Sequence, residues 1–103
     1  MNAQKRLCIV TMVGGVDLIG ELIVSRSVED TSRLERPFML QRQQPSGNLV
    51  LIDMMKTGVF SGDSIELNMI SVLWIAAPSD AIAKAYKATR SGLLLDANMA
   101  VNQ

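Results

Sequence analysis

A chain of 103 residues fits one domain, and with 49% apolar residues but only 4% aromatics its core is built from Val, Ile, Leu and Met. Ten basic and ten acidic residues cancel, which excludes the overall basic character of dedicated nucleic-acid binders, so any phosphate contact has to be local. The chain has no histidine, which excludes imidazole proton transfer and imidazole metal ligation; no enzyme activity, cofactor or metal site is expected.

The first predicted element, residues 5–12, is rich in β-branched and aliphatic side chains, and Gly14 and Gly15 follow it as a hairpin signal. Cys8 lies in this run. A lone cysteine forms no internal disulfide, and without a histidine to activate it Cys8 is expected as a small buried hydrophobe. No secretory leader and no apolar run of membrane-spanning length is read, so the cytoplasm is the expected compartment. Residues 16–25 alternate: Val16, Leu18, Leu22 and Val24 share one side with Gly20, and Asp17, Ile19, Glu21 and Ile23 share the other. A glycine inside a strand marks a bend or a close backbone approach. Asp17 and Glu21 sit about 13 Å apart along this strand, and solvate its face more readily than they form an acid–base pair.

Residues 27–36 are polar and charged and end at Pro37, the pattern of an exposed loop. Residues 38–43 alternate again, and Pro45, Ser46, Gly47 and Asn48 make a turn. Residues 49–55 form an apolar run broken only by Asp53, for which an arginine partner across an interface is the expected explanation. After a loop through Gly58 and Gly62, residues 65–76 read as a last extended stretch, with Ile70, Val72 and Trp74 on one side and Leu73 and Ile75 on the other. Strands apolar on both sides need two covers. A helix and a neighbouring subunit are both expected. The helix is predicted over 79–91, with Ser79 as its cap, Asp80 at the positive end of its dipole, Gly92 as its stop, and Ile82, Ala85 and Tyr86 as its apolar stripe. The tail 93–103 opens on Leu93, Leu94 and Leu95, which suit packing on the sheet or a neighbour, and is expected to fray at its end.

Met12, Gly15, Gly20 and Leu22 stand at the spacing of the first motif of the Sm-like (LSm) family, and residues 68–75 resemble the hydrophobic strand of its second. With its C-terminal helix, the chain is most similar to Sm-like proteins of marine-phage (cyanophage) origin. The resemblance implies a mostly β fold over residues 1–92: a strongly bent five-stranded antiparallel sheet, a small open barrel, carrying the helix. It also implies a homo-oligomeric ring of about five to seven subunits, five favoured, in which an edge strand of one subunit pairs with an edge strand of the next. Residues 49–55 and 72–76 are the candidate edges, with Leu49, Leu51, Ile52, Asp53, Val72, Leu73, Trp74 and Ile75 as interface residues.

RNA is the partner the resemblance implies, in the host cytoplasm if the chain is phage-encoded. The familiar uridine pocket does not carry over: its aspartate and asparagine positions fall on Arg26 and Asp30, and its Arg-Gly pair is missing, with Asn68 and Met69 nearest. Arg26, Asp30, Arg33, Arg36 and Asn68 are the candidate RNA contacts. Glu29, Asp30 and Glu35 interleave with these arginines, as in an ordinary solvated loop. The competing expectation is therefore an adaptor ring that has lost the nucleotide pocket and binds a protein.

Overall fold

A computed structural model describes residues 5–24 and 32–90, and the backbone of 99–101. The described strands are β1 (Lys5–Met12), β2 (Asp17–Ile23), β3 (Ser32–Arg42), β4 (Leu49–Asp53), β5 (Ser64–Leu67), β6 (Val72–Ala76) and β7 (Met99–Val101); one helix, α1 (Asp80–Arg90), follows β6. They form an open antiparallel sheet of order β6-β1-β2-β3-β4-β7, with β5 also paired to β3. The fold is mostly β with a C-terminal helix, as the sequence implies. No described helix is long and apolar enough to cross a membrane.

β3 is the spine. β2 runs along one side of it, while β4 and β5 lie end to end along the other, β4 against residues 38–42 and β5 against residues 32–35. The charged stretch before Pro37, expected as a loop, is strand from Ser32 onward. Its alternation explains this: Ser32 and Leu34 are buried, while Arg33 and Glu35 face outward. Pro37 is tolerated because it lies in a bulge, where no ladder N–H is needed. Gly20 of β2 there faces both Arg36 and Pro37, between the pairs Ile19–Phe38 and Glu21–Glu35. Arg36 takes φ 50°, a left-handed conformation rare for a side-chain-bearing residue. A Cβ on Gly20 would stand 2.8 Å from the Glu35 carbonyl oxygen and 2.8 Å from Leu34 Cγ. Glycine is required by this close approach.

The bulge also reverses the faces of β3, so that Leu34 and Phe38, both buried, enter different clusters. Cys8, Val10, Leu18, Leu22, Leu34 and Leu67 fill the inside of the curled sheet, with Met12, Ile65, Val72 and Ile75 packed around them. Ile19, Phe38 and Leu51 lie on the other face beneath Ile82, Ala85 and Tyr86 of α1. The helix thus covers one face of β4, whereas on β6 Val72 and Ile75 pack inward and Leu73 and Trp74 stay exposed.

Ser79 caps α1, its Oγ accepting from Ile82 N at 3.3 Å. The Tyr86 ring packs edge-on to Phe38 with centroids 5.3 Å apart, and its hydroxyl donates to the Arg36 carbonyl oxygen at 2.9 Å. The helix is therefore locked onto the bulge. Burial pushes the Tyr86 hydroxyl pKa up, with the neighbouring Arg90 opposing.

Three expectations about the later chain change. Residues 65–76 are not one strand. Asn68 Oδ1 accepts from Ile70 N at 3.1 Å and caps a 3₁₀ turn, Met69–Ser71, that separates β5 from β6. Within β6, a register shift between Thr11 and Met12 of β1 puts Val72 and Ile75 together inside the sheet and leaves Trp74 outside, so the simple two-sided alternation fails. The tail, expected to fray, carries β7, whose Met99, Ala100 and Val101 pair with Leu51, Val50 and Leu49. Gly92 and Leu93, Leu94 and Leu95 lie outside the described residues.

Candidate assembly edges and nucleic-acid interface

Three strands of the described sheet pair on one side only. β6 pairs only with β1, β5 only with β3, and the three-residue β7 only with β4. Each therefore presents a row of backbone N–H and C=O groups to one side, the arrangement that recruits another strand. Exposed apolar side chains accompany β6 and the chain before β5. On and before β6, Leu73 is 51%, Trp74 61% and Ile70 90% exposed; shortly before β5, Val59 is 77% and Phe60 44% exposed. Val13 joins the β6 group, since its N–H bonds the Ser71 carbonyl at 2.7 Å.

The interface residues expected from sequence divide along these lines. Leu73 and Trp74 stand exposed on the free edge, whereas Val72 and Ile75 on the same strand pack inward. The other expected edge, β4, is paired on both sides, to β3 and to β7. Leu51 is fully buried in the cluster beneath the helix and Leu49 is half-buried against it, with Ile52 also half-buried. Leu51 therefore packs in the core and has no surface to offer a neighbour. Asp53, expected to meet an arginine, makes no ion pair with any described residue; its Oδ1 accepts from Met55 N at 3.0 Å and caps the 3₁₀ turn Met54–Lys56. Sequence reasoning misses β5 as an edge because residues 65–67 read into the strand that follows. The polar Asn68 within an apolar run was the signal that separates them.

Of the candidate RNA contacts, Arg26 and Asp30 lie outside the described residues. Arg33 is on β3 opposite Glu66 of β5, and its guanidinium stands 3.3 Å from Glu35. Lys5 reaches the same carboxylate at 3.0 Å, and this contact, chiefly a hydrogen bond, holds the Glu35 pKa below its ordinary value against the opposing effect of burial. Arg36 is 3.7 Å from Glu21, which also receives Arg90 at 2.7 Å. Asn68 is committed to its turn through Oδ1. The pair Ser32–Leu67 sets the start of β3 beside the end of β5, so Arg33 and Asn68 share one end of the sheet. Arg36 does not join them. Its N–H bonds the Asp63 carbonyl at the far end of β5, about 13 Å along the strand.

Lys5 and Arg33 thus share Glu35 while Arg36 and Arg90 share Glu21, four cations to two carboxylates in two surface networks. Such networks tolerate an anionic partner without depending on one, since each described exposed pair contributes only about 0–1 kcal/mol. No three His, Cys, Asp or Glu side chains converge as metal ligands among the described residues. Comparison with protein-family models and with curated proteins finds no match for this chain.

Proposed function

We propose that this chain is a homo-oligomeric, ring-forming Sm-like module that handles RNA in the cytoplasm. One observation carries the reading: among the described residues, β5 and β6 each pair on one side only, and β6 carries the exposed side chains of Leu73 and Trp74. Pairing β5 of one copy with β6 of the next is head-to-tail, and repetition with a closing rotation yields a ring. Covering the exposed parts of Leu73 and Trp74 contributes about 3 kcal/mol of gross association energy per junction. The order of strands around a bent β2, with a glycine that faces a bulge, suits the same family reading.

RNA contact draws support from Arg33 and Asn68, which share one end of the sheet. A ring repeats that end in every subunit, which concentrates charge on a neutral protein. The test is binding of a U-rich oligonucleotide across a salt series. Affinity should fall with added salt, and Arg33→Ala should weaken it and reduce the slope by about one charge. Absence of binding at low salt removes RNA and favours the second reading, an adaptor ring for a protein. That reading has its own observation: Ile70, 90% exposed, stands beside an Asn68 whose side-chain oxygen is already engaged.

A further inference from the structure

β4 is as well suited to pair with a foreign strand as either free edge, yet it is closed. Val50 and Leu51 are buried and Leu49 is half-buried, so the strand is apolar up to Asp53. An open edge of that composition invites association. Its outer side is taken by β7, a strand of three residues that pairs only with Leu49, Val50 and Leu51 and also approaches α1. Ile52 and Asp53 of β4 lie beyond its reach. Three residues of ladder supply only a few backbone hydrogen bonds, each worth about 0.5–1.5 kcal/mol net. Such a strand opens far more easily than the sheet beneath it.

We propose that β7 is a displaceable edge cap: in place it closes β4 to other strands, and its release opens β4 to a second copy of this chain. The occupant is set by the strands available. β6 of another copy spans five residues and already carries a free edge, so it offers β4 a longer ladder than β7 does and covers Ile52 and Asp53 as well. β7 and an incoming strand thus compete for one row of backbone groups. Because β4 and β5 lie end to end along β3, displacing β7 lengthens the edge available for pairing. The tail then regulates how readily copies associate.

Ala100→Pro tests this directly. Ala100 is the central residue of β7, opposite Val50, and proline removes its N–H and disfavours the strand. The size distribution of wild type and variant is followed by analytical ultracentrifugation over a dilution series, with far-ultraviolet circular dichroism reporting the fold. The expected result is a folded variant that associates at a protein concentration at least about tenfold lower than wild type. Excess synthetic peptide of residues 97–103 added in trans should reverse the shift. A folded variant with an unchanged dilution profile overturns the cap, and so does a variant that unfolds, because a separable cap is not needed for folding. The inference draws on the same free β6 edge as the proposed β5–β6 junction, so the two pairings compete: a monomeric wild type with an associating variant supports the cap while it removes the ring.

Discussion

Replacing Gly20 with alanine should destabilise the protein, although a glycine-to-alanine change in a strand ordinarily does the reverse. Where the backbone permits it, the added methyl stabilises by about 0.4–1 kcal/mol by restricting the unfolded chain. At Gly20 the new Cβ would meet the Glu35 carbonyl oxygen at 2.8 Å, Leu34 Cγ at 2.8 Å and Leu34 Cδ1 at 3.1 Å. The leucine has rotamers to move into. The carbonyl does not, because it belongs to the backbone of β3 at the bulge. Relief requires β2 and β3 to separate by some tenths of an ångström, where Ile19 and Phe38, both buried, are adjacent in the ladder. Overpacking of this kind costs about 1–3 kcal/mol, so after the unfolded-state gain a net loss of about 1–2 kcal/mol is expected. For a domain of this size that lowers Tm by roughly 4–16 °C. Urea unfolding followed by far-ultraviolet circular dichroism measures it. A Gly20→Ala protein as stable as wild type, or more so, would refute the account of the bulge.

Tyr86→Phe removes the hydroxyl that donates to the Arg36 carbonyl and should cost about 1–2 kcal/mol by calorimetry while the ring packing on Phe38 is kept. The Tyr86 pKa is raised above its ordinary value of 10.0, so its contribution is intact below about pH 10 and fades as pH rises through the higher folded value. Wild type should accordingly lose more stability than Tyr86→Phe in alkali. Glu35 carries the opposite sign: its pKa is lowered from 4.5, so its contribution is present above that pH and is lost as pH falls below it. Urea midpoints between pH 7 and pH 3 should drop less for Glu35→Gln than for wild type, and the difference should shrink in high salt. Trp74→Glu, on a side chain 61% exposed, should leave folding intact within about 0.5 kcal/mol and abolish association; a variant that still assembles removes β6 from the junction.

Where a residue's role is set by its immediate neighbours, it was legible in the sequence. Ser79 caps the helix whose stripe of Ile82, Ala85 and Tyr86 is buried, Gly14 and Gly15 adopt φ 101° and 87° in the first turn, and Gly20 allows the close approach its place in a strand implied. Where the role depends on a partner strand, it was not. Pro37 reads as the end of a loop until β2 supplies the bulge that accommodates it. Trp74 reads as the companion of Val72 until β1 shifts register beneath them. Asp53 reads as a charge in search of an arginine, although the two residues after it provide the N–H it needs. The candidate site follows the same rule. Leu73 and Trp74 stand out in the sequence by apolar content and are exposed on β6, whereas β5 becomes an edge only once it is placed end to end with β4 along β3.

Native mass spectrometry of the protein, purified gently and without nuclease, tests the proposed head-to-tail pairing of β5 with β6 most directly. The account predicts one closed oligomer of about five to seven copies, with any heterogeneous additional mass removed by nuclease. A monomer at micromolar concentration would contradict it and leave both edges without their proposed partner.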